Sequence, residues 1–164
     1  MTLEHDIERL ALQEERLRFS RFDKATAWQL GCLLKTQAEA RNLSLTIDIW
    51  LGGEAVFFHA MDGTTPLNAD WARRKRNTVN LMQRSSYAVG RANLLKDQTL
   101  EATLGLATRD HADHGGCFPI RVNGVGGCVG TVTISGAPQR DDHNLVVEVL
   151  AGLCGVPLQD VALA

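Results

Sequence analysis

The sequence predicts an α+β fold, a sandwich in which an antiparallel sheet built from hairpins is covered by helices. Three observations carry this. Leu45, Ile47, Ile49 and Leu51 alternate with Ser44, Thr46, Asp48 and Trp50, and the alternation resumes after Gly52-Gly53 through Ala60. Two further β-like runs, 115–122 and 126–136, flank Asn123-Gly124, a pair in which both residues tolerate positive φ. The remaining segments repeat apolar residues at helical spacing and need a sheet to cover. Hairpins join neighbouring antiparallel strands, so a doubly wound parallel sheet is excluded. A chain of 164 residues fits one domain with a sizeable core.

Residues 2–18 carry Leu3, Ile7, Leu10, Ala11 and Leu17 at helical spacing, and 17–22 reads as an edge strand. Asp23 suits the N-cap of a second helix running to about Arg41. Ala27, Leu30, Leu33, Leu34 and Ala38 form its buried stripe, and Asn42 stops it. In the first hairpin a Gly-Gly turn pairs Leu51 with Glu54, Ile49 with Val56 and Ile47 with Phe58. The opposite face then carries Thr46, Asp48, Trp50, Phe57 and His59. Trp50 and Phe57 are too apolar for a solvated surface, so a helix or another subunit is expected over them. His59 has a structural role there.

Residues 61–68 read as loop, and Asn68 caps a third helix with Trp71, Lys75, Thr78, Val79, Met82 and Ser86 on one side. A short helix near 98–106 precedes the glycine-rich hairpin. A two-residue turn at Asn123-Gly124 sets Cys128 opposite Pro119 and places Cys117 and Cys128 on one sheet face. The last helix spans about 141–153, with Leu145, Val146, Val149, Leu150 and Leu153 inward, and ends at Gly155 and Pro157.

Lys and Arg number 17 against 19 Asp and Glu, a balance that argues against a general nucleic-acid coat. The four cysteines are scattered without a Cys-x-x-Cys pair, which points to reduced thiols and no tight zinc site. The acidic N-terminus lacks an apolar signal core, and no run approaches the ~18 apolar residues of a membrane span. The expected setting is cytoplasmic, with no membrane partner.

Candidate chemistry gathers in three places. Arg73-Arg74-Lys75-Arg76 lies on the third helix, where each step turns ~100°, so its charges cannot all point one way. Most read as solvated; one or two turned inward would hold an anion such as a carboxylate. His111-Ala112-Asp113-His114 with Cys117 offers imidazole and thiolate, though its spacing matches no strong zinc pattern, and His114 is the residue best placed to line a pocket. Asp141-Asp142-His143 opens the last helix, as cap and dipole partner or as a His–carboxylate acid–base pair. No Gly-x-Ser-x-Gly, Walker or dinucleotide pattern accompanies them.

Met61-Asp62-Gly63, the run Trp71 to Val79, Ser85-Ser86, His114 to Ile120, and Gly130 to Pro138 with Asp142-His143 follow in an order that resembles the haem-degrading-domain family. The resemblance covers nearly the whole chain and looks closest to that family's branch of small proteins. It implies a profilin-like α/β sandwich and assembly into dimers or larger rings. The residues that match the family pattern and could face a ligand are Lys75, Asn77, His114, Arg121, Asp142 and His143, with Arg74 as a further source of positive charge. The expected function is an oligomeric cytosolic protein that binds a small ligand, haem or an organic anion. The alternatives are a non-catalytic oligomeric adaptor and an enzyme with acid–base chemistry at His114 or His143. If haem is the cofactor, His114 is the first choice of iron ligand.

Overall fold

Thr2 opens the first helix, its hydroxyl accepting the His5 N–H, in a computed structural model that describes residues 2–163. Among those residues the order is α1 (Leu3–Arg16), α2 (Lys24–Ala40), β1 (Thr46–Leu51), β2 (Glu54–Ala60), α3 (Pro66–Met82), α4 (Ser86–Leu95), α5 (Leu100–Leu104), β3 (Cys117–Ile120), β4 (Gly130–Ser135), α6 (Gln139–Cys154) and α7 (Leu158–Val161). The sheet runs β2-β1-β4-β3 with every neighbouring pair antiparallel. This is the α+β sandwich the sequence predicts.

The two sheet faces differ in chemistry. Ile47, Ile49, Phe57, Phe118, Ile120, Val132 and Ile134 form an apolar face beneath α2 and α6, with Leu30, Leu34, Leu145 and Val146 packed in the same core. The opposite face presents buried Thr46, Asp48, Thr131, Thr133 and Ser135 to α3, which buries Ala72, Lys75, Thr78 and Val79. A polar sheet face needs polar partners on the covering helix, because a buried polar group without a hydrogen bond is costly. Arg76 of α3 meets that face at Asp48, and Lys75 meets it at the Ile134 carbonyl.

Local signals set most helix ends. Asp23 caps α2 through the Thr26 N–H at 2.9 Å, and Asn42 follows the helix with φ 54°. The third helix starts earlier than Asn68. Thr65 is its cap, Pro66 occupies the first turn, and Asn68 Oδ1 accepts the Thr65 N–H at 3.0 Å. Gln83 ends α3 in the left-handed region, and Ser85 then caps α4, so Ser86 belongs to a helix the sequence reading did not separate. The fourth-residue spacing simply continues across the break. α7 was likewise not anticipated.

Both hairpins depart from their predicted registers. Leu51 faces Glu54 as expected, but a bulge at Ile49/Trp50 sets Ile49 opposite Phe57, Asp48 opposite Phe58 and Ile47 opposite His59. A slip of one residue exchanges the faces of a strand. Phe57 therefore enters the core at 8% exposure, while Phe58 stands 58% exposed. Gly31 of α2 makes the space: a Cβ there would come within 2.5 Å of the Phe57 ring. Trp50 and Phe57, expected on one face under a covering layer, lie on opposite faces: Phe57 is beneath α2, and Arg76 of α3 stacks over the Trp50 ring at 4.4 Å.

In the second hairpin β3 ends at Ile120, β4 begins at Gly130, and Cys117 faces Thr133. Residues 121–129 connect them in place of a two-residue turn. Cys128 lies in that connection and not opposite Pro119, so it shares no sheet face with Cys117. The cause is a competing partner. Phe19 N–H donates to Arg121 O and Asn123 N–H to Phe19 O, which draws 121–123 away from 126–128. The predicted edge strand at 17–22 reduces to this one bridge, Phe19 with Val122.

Candidate functional site

The basic run on α3 sends its four side chains three ways. Arg73 donates to Asp70 and Asp110 and to Arg109 O, and Arg74 donates to Thr108 O, so both hold the 108–110 loop. Arg76 pairs with buried Asp48. Lys75 is buried, and its Nζ donates to Ile134 O at 3.1 Å and Asp142 Oδ2 at 3.2 Å. Gly116, at φ 135°, permits this approach, since a Cβ there would stand 2.6 Å from Lys75 Nζ. Asp142 lies in the first turn of α6, where its Oδ1 also accepts the Ala137 N–H at 3.1 Å.

Burial sets the electrostatics of the pair. It pushes the Asp142 carboxyl up to about 6, against the lowering pull of Lys75 and the Ala137 N–H. The same desolvation lowers Lys75, opposed by Asp142. Above the pair opens a cleft of about 240 Å³ lined by Asn68, Trp71, Lys75, His114, Ser135 and Asp142, with Gly136, Ala137 and Gln139 closing it. The His114 side chain is half exposed, its ring packs edge-on to Trp71 at 5.1 Å, and its Nδ1 lies 3.7 Å from Asp113 Oδ1. Desolvation lowers its pKa, outweighing Asp113, so the imidazole is neutral at pH 7.

Of the residues singled out from sequence, the fold brings Lys75, His114 and Asp142 together. Arg74 lies beside the cleft, its guanidinium 4.4 Å from the Trp71 ring centroid, but it is spent on Thr108 O. Asn77 does not reach the cleft; its Nδ2 donates to Asp110 O at 2.8 Å. Arg121 donates to Gln83 O on another part of the molecule. His143 is buried, donates through Nε2 to Gln13 Oε1 at 2.8 Å and packs against Tyr87 at 5.0 Å. The tautomer follows from Gln13, whose Nε2 donates to Val161 O and leaves its Oε1 to accept. Asp142 and His143 therefore form no acid–base pair: neighbours on a helix point ~100° apart, one into the cleft and one into the core.

Asn68, Trp71 and Gln139 line the cleft without having been singled out. A signal existed for two of them, because Asn68, Trp71 and Lys75 stand three and four residues apart on one helix face. Gln139 carried none, since its place depends on where α6 meets the 113–116 turn.

Comparisons with known proteins agree with the architecture. The family profile described as Haem degrading protein HbpS-like matches residues 22–151. A UPF0303 protein of Azotobacter vinelandii is 56% identical over 164 residues, covering 99% of this chain and 98% of that protein. The crystal structure of Ybr137w protein superposes with a TM-score of 0.85 at 27% identity, covering 91% of this chain and 87% of the other. The structure of a PduOC:heme complex superposes at 0.64 and 17% identity over 76% and 89% of the two chains, a likeness of fold. With its sandwich, its sheet order and a profile match over most of its length, the chain belongs to the HbpS-like haem-degrading protein family.

Proposed function

We propose that this protein binds a small organic anion non-covalently in the cleft between α3 and α6. The observation that carries the reading is the buried Lys75–Asp142 pair at the cleft floor. Asp142 is held with a carboxyl pushed up to about 6, so one protonation leaves the Lys75 charge uncompensated toward the cleft. Asn68 adds a side-chain donor and Trp71 a flat apolar wall. Affinity for an anion should rise as pH falls through 6, because Asp142 loses its charge there. Titration with benzenesulfonate, which stays ionised, tests this at pH 7.5 and 5.5. Tighter binding at the lower pH, abolished in Asp142→Asn, is expected; equal or weaker binding at pH 5.5 sinks the reading.

Haem is the second reading, favoured by the family and by the PduOC:heme complex. His114 fits an axial ligand, being neutral and half exposed with Nδ1 turned to Asp113 and Nε2 left for iron. The cleft, at about 240 Å³, lies below the ~300–1,000 Å³ that encloses a drug-sized molecule, so the macrocycle would not be enclosed. Hemin titration of wild type and His114→Ala checks this. A Soret shift lost in the variant is expected, and absence of binding by wild type removes haem.

The proposal includes self-association, supported by exposed Trp28 and Phe58 beside the edge strand β2, and a cytoplasmic setting, supported by four unpaired cysteines. No helix among the described residues is long and apolar enough to cross a membrane.

A further inference from the structure

The wall of the cleft that His114 and Gln139 form has a second side. There a groove of about 190 Å³ lies between α4 and the 113–116 turn, lined by Arg91, Asn93 and Asp113 together with the same His114 and Gln139. Glycines fix this wall. A Cβ on Gly90 would collide with the Asp113 carbonyl, and one on Gly115 would collide with the Gln139 carbonyl. Gly115 N–H also donates to Gln139 Oε1 at 3.2 Å. The turn is clamped between α4 and α6, so the groove is a built feature and not a loose gap.

The charges in the groove are unequally engaged. Asp113 accepts from Asn93 Nδ2 at 2.9 Å and faces His114 Nδ1. Arg91 stacks over the Tyr87 ring at 4.8 Å, which fixes its guanidinium. Its Nε is enclosed without a hydrogen bond, and it forms no ion pair with the described residues. Arg73, Arg74, Arg76 and Arg140, by contrast, are all tied to carboxylates or carbonyls. Arg91 is thus a positioned fork of the kind that matches a carboxylate, set beside His114 and in contact with no carboxylate of the described residues, Asp6 and Asp113 acting on it or lying near it only at longer range.

We propose that this groove is a second subsite, in which Arg91 binds one carboxylate of an elongated organic acid whose body crosses His114 and whose other anionic end enters the Lys75 cleft. The inference rests on the reading of that cleft as an anion site and extends it to a ligand class, the dicarboxylates.

Amide and arginine-side-chain NMR of the full ¹⁵N-labelled chain at pH 7 tests it with glutarate, adipate and monomethyl glutarate. At least one dicarboxylate should shift both the 135–139 amides and the Arg91 Nε–H. Arg91→Gln should weaken that binding about ten-fold while leaving monomethyl glutarate unchanged. An Arg91 resonance that stays still while 135–139 responds, or an unchanged affinity in Arg91→Gln, overturns this inference and spares the cleft. Silence at both places with all three acids, at pH 7 and again at pH 5.5, overturns both. Should Arg91→Gln not fold, the wild-type Arg91 resonance decides alone.

Discussion

Arg73-Arg74-Lys75-Arg76 shows what four adjacent charges do on a helix between a polar sheet face and a loop. Two turn inward to carboxylates, as the sequence reading allowed, and the carboxylates are the protein's own Asp48 and Asp142. Lys75→Met leaves Asp142 buried without its partner and should cost about 3–5 kcal/mol. Adding Asp142→Leu should recover much of that loss, since an apolar pair removes both desolvation terms; urea denaturation of the two variants measures it. His143 carries a different signature. Its folded-state pKa is pushed by burial down to about 3 from an ordinary value of 6.5. The unfolded chain binds this proton more readily, so the stability His143 contributes is present above pH 6.5 and is lost as pH falls toward 3. Asp142 works oppositely, its raised pKa favouring the folded state as pH falls below 6. The difference between wild type and His143→Gln isolates the histidine. Glutamine keeps a donor for Gln13, and its stability should fall less between pH 7 and 4, by on the order of a few kcal/mol.

At the scale of elements, α2 and the end of α6 were legible from local signals, whereas the Ser85 cap that opens α4 was hidden by apolar spacing that runs on from α3. Asp23 and the Ala27, Leu30, Leu34 stripe locate α2, and Gly155 ends α6 with φ 68°. Registers were not legible, because they depend on what another element offers. The β1–β2 bulge turns Phe57 toward Gly31, a residue twenty-odd positions earlier whose role has no local signature. Gly31→Ala gains at most about 1 kcal/mol of helix propensity and loses about 1–3 to overpacking against the ring. Net destabilisation is therefore expected, with partial rescue by Phe57→Leu; thermal unfolding of the single and double variants reads both. The β3–β4 connection makes the same point, since Phe19 competes for residues 121–123.

For the whole molecule, the order β2-β1-β4-β3 leaves β2 at an edge, with Phe58 on one face and Trp28 of α2 on the other side, packed edge-on to Phe57 at 5.5 Å. Trp28 is 65% exposed and Phe58 58%. Exposed aromatics on both sides of an unpaired edge support the proposed self-association. Light scattering at micromolar concentration should give a mass at least twice the 17.9 kDa of one chain, reduced in Trp28→Ser/Phe58→Ser; a monomer in wild type counts against it.

The sequence by itself determined the α+β class, the hairpin order, the span of α2 and the end of α6, because periodicity, capping and turn chemistry act within a few residues. Lys75, His114 and Asp142 were legible as chemistry-bearing positions for that reason. Only the tertiary structure decided that they meet, while Asn77, Arg121 and His143 go elsewhere. Which way a side chain points follows from close approaches between distant segments. Gly116 against Lys75, Gly115 against α6 and Gly31 against Phe57 are each fixed by packing that no local stretch of chain encodes.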